Sequence, residues 1–425
     1  MPYTGCMQRM SQLFTRTLKE VSADEVAANA RLLVRGGFVH KVMAGVYAYL
    51  PLGLRVLKKI EGIIREEMNA LGAQELLLTA LQDPAPWKKT GRWSDEAIDI
   101  WFKTQSGDVV VGLANTHEEP LTRMLTHHIA SYKDLPFSAY QFQTKFRNEP
   151  RAKSGLLRAR EFMMKDLYSF SRTAQEHEAF YEKAKDAYRT IFDRVGIGES
   201  TYITYASGGT FSAFSHEFQT VCEAGEDIIY IEEERRVAVN KEVASDDVLR
   251  ELGLKRENLR EAKAIEVGNI FSLGTRFSEP LELLYADEKG DKRPVIMGSY
   301  GIGPGRVIGT AVELRHDERG IRWPAAIAPY DAHVIMLDSK EREAEDLIAR
   351  LEQEGIDALY DDRLEKQAGE KFADADLIGI PWRIVVSKRT VEKGMVEIKQ
   401  RISKDSSLIE VQNVKIKMQN DNIKF

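Results

Sequence analysis

The run FRNEPRAKSGLLRAREFMMKD, residues 146–166, sets Arg147, Glu149, Arg158, Arg160, Phe162 and Asp166 among apolar neighbours. Charge is costly to bury without partners, so this density of charge in a folded segment points either to a ligand or to a salt-bridged surface. Guanidinium forks match phosphate oxygens, and a phenyl face stacks on a flat base. Arginines, a ring and carboxylates on one platform would therefore suit a nucleotide carrying several phosphates. The residues SAYQFQTKFRNE alternate strictly, with Tyr140, Phe142 and Phe146 on one side and Gln141, Gln143, Lys145, Arg147 and Glu149 on the other. That is the pattern of a strand with a core face and a working face. With residues 156–170 as the returning strand, PRAKSG is the hairpin loop, and Arg158, Arg160, Phe162 and Asp166 share a face. A solvated hairpin laced by ion pairs is the alternative reading.

Two further segments bear on that choice. RPVIMGSYGIGPGRVIGTAVE, residues 293–313, reads as a strand that breaks at Gly298, crosses a glycine-rich turn and enters a helix with Arg306 at its start. Glycine lets backbone approach a ligand, and a helix N-terminus beside an arginine suits an anion; a purely structural turn is the alternative. NTHEEP, residues 115–120, sets Thr116 and Glu118 in a turn ahead of a helix. A hydroxyl and a carboxylate there could hold an ammonium group, or simply cap the helix.

These residues need elements to hold them. A chain of 425 residues exceeds one typical core, so two or three domains are expected. The net charge of −6 argues against a protein coated in basic charge but allows a local basic face for nucleic acid. The first residues lack the apolar run of a signal peptide, and no stretch reaches the roughly 18 apolar residues of a membrane span; a cytoplasmic protein is expected. Cys6 and Cys222 have no Cys or His near them at ligand spacing, so neither a disulfide framework nor a zinc site is expected. Ser22 and Glu25 read as the capping box of a helix that stops at Gly36 and Gly37. Leu54, Leu57, Ile60, Ile64 and Met68 follow the spacing of a second helix, with GAQELLLTAL as a strand leaving it. Phe180, Ala184, Ala187, Ile191 and Val195 stripe a third helix. Residues 232–264, charge-rich and weakly periodic, read as a small peripheral insertion. From near Pro329 strands and helices alternate, as in a separate α/β domain.

The segments together resemble the class II aminoacyl-tRNA synthetases. FRNE with its arginine loop and RAREF is similar to the second signature motif of that class, and GSYGIGPGR to the third. GLRVLKKIEGIIREEMNALGAQELLLTAL is similar to the first, the helix and strand of the dimer interface. NTHEEP, GLLRAREFMMKDLYSF, GGTFSAFSHEF, EVGNIFSLG and DERGIRWPAAIAPYDAHV resemble the bacterial-type prolyl-tRNA synthetases, and the likeness covers roughly residues 10–415. It implies an α+β fold: a class II catalytic domain, residues 1–328, built on an antiparallel sheet flanked by helices, then a C-terminal α/β anticodon-binding domain, residues 329–425. It also implies activation of L-proline by ATP with Mg²⁺, transfer of prolyl to the 3′ end of tRNA(Pro), and a homodimer.

Roles follow from the resemblance residue by residue. Arg147 would contact the α-phosphate and the substrate carboxylate, and Arg158 the γ-phosphate; Phe162 would stack under adenine with Arg306 over it. Glu149, Gly303 and Gly305 would complete the ATP site, with Arg147 and Arg306 catalytic. Thr116 and Glu118 would grip the imino group of proline. Asp166, Ser215, His216, Glu217 and Ser299, with Gly208 and Gly209, would line the amino-acid pocket. His216 reads as a pocket or structural residue, because the attacking carboxylate is already ionised at pH 7. Arg363, Lys366, Lys371 and Lys388 could contact tRNA phosphates or be ordinary surface charge. The chain departs from the family pattern at Thr79, commonly proline, at Ser171 and Asn269, often histidine, and at Ser299, often cysteine; the last three are expected beside the pocket. Only 47 residues, 219–265, separate SHEF from EVGN, so residues 232–264 stand as a short insertion in place of a large editing domain. A free-standing editing protein is then an expected partner. A silent tRNA-binding relative and a ligase for another small amino acid remain alternatives. The retained arginines and Phe162 disfavour the first, and the lack of zinc ligands disfavours a threonine enzyme.

Overall fold

The structure is a computed structural model that describes residues 8–22, 25–150, 152, 154–207, 214–338 and 341–420. It forms two compact units, one of Val42–Tyr47 and Ile60–Thr310, the other of Met1–Lys41, Ala48–Lys59 and Ala311–Phe425.

The first unit is organised by a nine-stranded sheet. Its strands in chain order are β1 (Gln74–Glu75), β2 (Phe137–Phe146), β3 (Glu161–Ser171), β4 (Thr201–Ser207), β5 (Phe214–Val221), β6 (Asp227–Glu232), β7 (Val237–Asn240), β8 (Arg260–Gly274) and β9 (Ile296–Ile302). Across the sheet they run β5-β4-β7-β6-β8-β9-β3-β2-β1. The pairs β2–β3, β3–β9 and β9–β8 are antiparallel. Their register sets Gln141 opposite Asp166, Lys145 opposite Phe162, Gly301 opposite Asp166 and Ser299 opposite Tyr168. Opposed residues share a face, so the alternation of residues 139–147 gathers one working face from three strands. Helix α1 (Pro51–Ala70) precedes the sheet. Helix α2 (Glu118–Leu125) carries the NTHEEP segment into it. Helix α3 (Ala174–Arg194), capped by Thr173, buries Tyr181, Ala184, Tyr188, Ile191 and Phe192, and the Tyr188 and Phe192 rings lie 5.1 and 5.4 Å from that of Phe218. Each such buried side chain contributes about 1.5–3 kcal/mol, so the face away from the working side is where the sheet is stabilised.

Several local expectations are corrected. GAQELLLTAL is split into the short strands Gln74–Glu75 and Leu81–Gln82. The hairpin between β2 and β3 is wider than PRAKSG: residues 155–157 form a turn of 3₁₀ helix, and Arg158 and Arg160 precede the strand. Arg160 leaves the working face and donates to the carbonyl of Glu149 at 3.0 Å. Strand β9 runs through Gly298 rather than breaking there; a Cβ at that position would lie 2.5 Å from the Tyr300 hydroxyl and 2.8 Å from Ser169 Oγ, so close packing explains the glycine. Residues 232–264 carry more order than their weak periodicity suggests. They complete β6 and β7 inside the sheet, and Val239, Leu249 and Leu254 form a small core of their own.

In the second unit, the helix Ala28–Arg35 starts after Ala27, without the Ser22–Glu25 capping box; Glu25 instead pairs with Lys41. The C-terminal segment forms a sheet of β10 (Ala332–Met336), β11 (Ala358–Asp361), β12 (Trp382–Val386), β13 (Met395–Gln400) and β14 (Ser407–Glu410). Its order is β11-β10-β12-β13-β14, and Gln8–Arg9 adds a parallel edge strand on β11. Helix α5 (Glu341–Gln353) buries Ala344, Leu347, Ile348 and Leu351 against this sheet. Two of the four basic residues considered for tRNA are occupied inside the unit. Lys371 is buried and donates to the carbonyl of Met336 at 2.6 Å; Arg363 bridges Asp361 and Asp374 at 2.7 and 2.9 Å. No helix among the described residues is long and apolar enough to cross a membrane.

Candidate active site

Ten of the side chains or glycines singled out in the sequence meet in one cavity of about 370 Å³ on the working face: Thr116, Glu118, Arg147, Glu149, Arg158, Phe162, Asp166, Ser299, Gly303 and Arg306. Strands β3 and β9 and the first turns of α2 and α4 (Pro304–Leu314) supply some of them, and the stretches just after β2 and β9 and just before β3 and α2 supply the rest. Gly301 keeps the floor open, since a Cβ there would meet only the sulfur of Met164 at 3.8 Å.

One end of the cavity is cationic. Arg147 forms no ion pair among the described residues; it donates to the carbonyl of Asn115 at 3.4 Å, with its guanidinium 5.5 Å from the Phe162 ring centre. Burial, and then the charge of Arg306, lower its pKa, while Glu266, Glu118 and Glu149 act in the opposite sense without offsetting them. Arg306 is aimed by three bonds, to Leu157 O at 2.9 Å and to the carbonyl and carboxylate of Glu266 at 2.7 and 3.2 Å. Arg158 donates from Nε to Glu149 at 2.7 Å and from Nη1 to Glu226. The cavity continues past these arginines into a second space of about 260 Å³ walled by Glu226 and Asp227.

The other end is rich in acceptors. Glu118, buried at the start of α2, accepts from Thr116 Oγ1 at 2.5 Å and from Ser299 Oγ at 3.3 Å. Asp166 Oδ2 accepts from Gln141 Nε2 and Lys145 Nζ, both at 2.9 Å, and from the Tyr168 hydroxyl at 3.0 Å. Its Oδ1 is buried and has no partner. Behind Glu118, Glu119 is pushed up to about 7 by burial, against the pull of Arg92 at 2.9 Å. An unpaired guanidinium facing two carboxylates across a cavity fits a zwitterion, and the further arginines and the ring fit a nucleotide.

Four proposed site residues, and one residue expected beside the pocket, lie elsewhere. Gly305 is buried in α4 and does not line the cavity. Ser215 is buried on β5 and donates to Ser207 O at 2.9 Å. His216 meets the Tyr181 hydroxyl at 2.9 Å, and burial lowers it to about 4. Glu217 sits behind the wall residue Asn269, accepts from Gln219 at 2.8 Å, and is pushed up to about 7 by burial and by Glu266. Ser171 is buried at the end of β3, away from the lining, whereas Asn269 and Ser299 do line it. Gly208 and Gly209 lie outside the described residues, as does Cys6; Cys222 is buried. Sequence reasoning placed Lys145 on the working face without giving it a task. It gave no site role to Asn115 or His117, which flank Thr116, and passed over Arg92 and Glu266, which reach the site only through the tertiary fold.

The fold and site define a class II tRNA synthetase core followed by an anticodon-binding domain. The sequence pattern of the class II core domain for glycine, histidine, proline, serine and threonine enzymes matches residues 101–315, and that of the anticodon-binding domain matches residues 326–421. The proline–tRNA ligase of Anaplasma phagocytophilum (strain HZ) is 36% identical, over 96% of this chain and 98% of its own. That of Bacillus subtilis (strain 168) is 32% identical over 95% and 98%, in an alignment of 556 positions. Among solved structures, the prolyl-tRNA synthetase of Cryptosporidium parvum complexed with halofuginone and AMPPNP superimposes with a TM-score of 0.76 at 17% identity, covering 94% of this chain and 78% of that one. The chain belongs to the proline–tRNA ligase family.

Proposed function

We propose that the protein activates L-proline with ATP, releasing pyrophosphate, and transfers the prolyl group to the 3′ end of tRNA(Pro). The observation that carries this reading is the half-buried Arg147, which forms no ion pair among the described residues, in one cavity with Glu118 and with Asp166, whose Oδ1 has no partner there, alongside the family relationship. The proline carboxylate sits on Arg147, and its secondary ammonium donates to Glu118 and Asp166. ATP lies with adenine on Phe162 and its phosphates on Arg147, Arg158 and Arg306. The carboxylate attacks the α-phosphorus in line, the bond to the β-phosphate oxygen breaks, and pyrophosphate departs. Fixed positive charge aimed at the developing negative charge lowers this barrier without proton transfer. In the second step a ribose hydroxyl of the terminal adenosine attacks the prolyl carbonyl; AMP leaves, and the hydroxyl proton goes to a phosphate oxygen or to water.

Among the described residues no three His, Cys, Asp or Glu side chains gather into a metal cage. Glu149 and Glu266, which accept from Arg158 and Arg306 at the phosphate end, would lie beside an Mg²⁺ held mostly by phosphate oxygens and water; it would neutralise phosphate charge there. Gly303 lines the cavity where ATP would lie, and Gly305 belongs to the first turn of α4 without lining the cavity. Residues 329–425 serve as the anticodon-binding domain and residues 1–328 as the catalytic domain, in a cytoplasmic enzyme. The exposed Leu77, Leu81, Val109 and Val110 form the apolar surface a second copy would cover in a homodimer. Amino-acid-dependent exchange between ATP and pyrophosphate, run with all twenty amino acids, tests the reading. Exchange with proline is expected, and exchange with another amino acid alone would overturn it.

A further inference from the structure

Behind the acceptor end of the cavity lies a buried chain of polar groups that touches no substrate. Lys145 is fully buried and donates to Asp166 Oδ2 at 2.9 Å. It also donates to Nδ1 of His117, which is equally buried. The other ring nitrogen of His117 lies 3.0 Å from the carbonyl of Thr79. A carbonyl only accepts, so Nε2 carries the proton and Nδ1 is the lone-pair acceptor Lys145 needs. Burial, then Lys145, lower the imidazole to about 4, which keeps it neutral in this tautomer. The backbone N–H of His117 donates to the Tyr168 hydroxyl at 3.2 Å, and that hydroxyl donates to the same Asp166 Oδ2. Gln141 ties the end of the chain to the same connecting segment as Thr79, accepting from Leu78 N at 2.9 Å while donating to Asp166.

The consequence is an asymmetric carboxylate. Oδ2 is saturated by Gln141, Lys145 and Tyr168, while Oδ1 is buried, unpartnered and part of a residue that lines the cavity. A buried acceptor left open is costly, and a ligand N–H would remove that cost. We propose that Lys145 and His117 are positioning residues for amino-acid recognition: they fix the Asp166 side chain so that Oδ1 alone is presented to the substrate ammonium. Neither residue lines the cavity, so they act through Asp166. The inference rests on the proposed function, because it takes the acceptor end as the ammonium site.

The test measures pyrophosphate exchange by the full chain with proline and ATP varied separately. Tetrahydrofuran-2-carboxylate, which has ring oxygen in place of the N–H donor, serves as a competitive probe. In Lys145→Met the KM for proline should rise about 10- to 100-fold, the range of one hydrogen bond to a charged group, while the KM for ATP stays within about twofold. The inhibition constant of the oxygen analogue should barely move, so the preference for proline over it collapses. His117→Leu should behave like Lys145→Met. His117→Gln, which can both accept from Lys145 and donate to Thr79, should stay close to wild type. The role is overturned if Lys145→Met or His117→Leu weakens proline, ATP and the analogue alike, or leaves the proline KM unchanged. It is equally overturned if His117→Gln is as impaired as His117→Leu. Should Lys145→Met fail to fold, the two His117 variants decide. Failure of wild-type protein to exchange with proline would instead overturn the proposed function.

Discussion

Arg158 Nε lies 2.7 Å from Glu149 Oε2, so the guanidinium proposed for the γ-phosphate is already engaged in the free protein, and its second arm is held by Glu226. Both carboxylates therefore compete with the phosphates of ATP for this guanidinium. The Glu226 side chain is 47% exposed, and an exposed pair is worth only about 0.2–1 kcal/mol. Glu226→Gln should therefore lower the KM for ATP by at most about fivefold, more at low salt, with the proline KM unchanged. Steady-state exchange at two ionic strengths checks this.

Arg147→Ala and Arg306→Ala should each lower kcat for adenylate formation about 10²- to 10³-fold, the effect of removing one preorganised donor at a developing charge. Among the described residues Arg147 forms no ion pair to be orphaned, so its variant should melt at or above the wild-type temperature. Exchange kinetics with a parallel thermal melt separate loss of chemistry from loss of fold.

The two glycines of β9 should respond differently to one added methyl. Gly298→Ala forces a Cβ to 2.5 Å from the Tyr300 hydroxyl, and overpacking of this kind costs about 1–3 kcal/mol, so the melting temperature should fall. Gly301→Ala meets only Met164 at 3.8 Å and should melt normally, but its methyl enters the cavity floor and should raise the KM for proline. Melts and exchange kinetics on both variants test the contrast.

Glu217 should make the fold less stable as pH rises. Burial and Glu266 push it from 4.5 up to about 7, so between those values the folded chain holds a proton that the unfolded chain has released. Stability then falls with rising pH across this window. Glu217→Gln cannot titrate and should flatten that fall, which denaturant melts at pH 5 and pH 8 would show.

The enzyme should activate alanine and leave alanyl-tRNA(Pro) uncleared. A pocket shaped for proline cannot exclude a smaller zwitterion, since each missing methylene costs the competitor only about 1–3 kcal/mol. The Bacillus subtilis relative aligns over 556 positions against the 425 residues here, so it carries a long segment this chain lacks. In this chain residues 227–232, 237–240 and 260–264 pair into the central sheet. Purified protein incubated with alanyl-tRNA(Pro) should deacylate it no faster than buffer does, and a free-standing editing protein should restore clearance.

The sequence by itself determined the class of fold and most of the cavity. The strict alternation of residues 139–147, the glycine turn before Arg306 and the Thr116–Glu118 pair are local signals, because strand parity and turn chemistry act over a few residues. The resemblance joined them, and ten of the residues it pointed to meet at one site. Tertiary structure alone decided the rest. Arg160 and Phe162 share a sequence parity, yet only Phe162 faces the cavity, because the chain enters β3 after Arg160. Ser215 and His216 read as pocket residues, but antiparallel pairing of β5 places His216 under Tyr181 and Tyr205. Lys371 and Arg363 read as tRNA phosphate contacts or surface charge, and only packing shows that carbonyls and carboxylates already hold them. The chain from Thr79 through His117 and Lys145 to Asp166 spans 88 residues of sequence and closes through hydrogen bonds between segments that no periodicity relates. Which oxygen of Asp166 is left free depends on those distances, and distances between strands are fixed by the folded sheet rather than by any stretch of sequence.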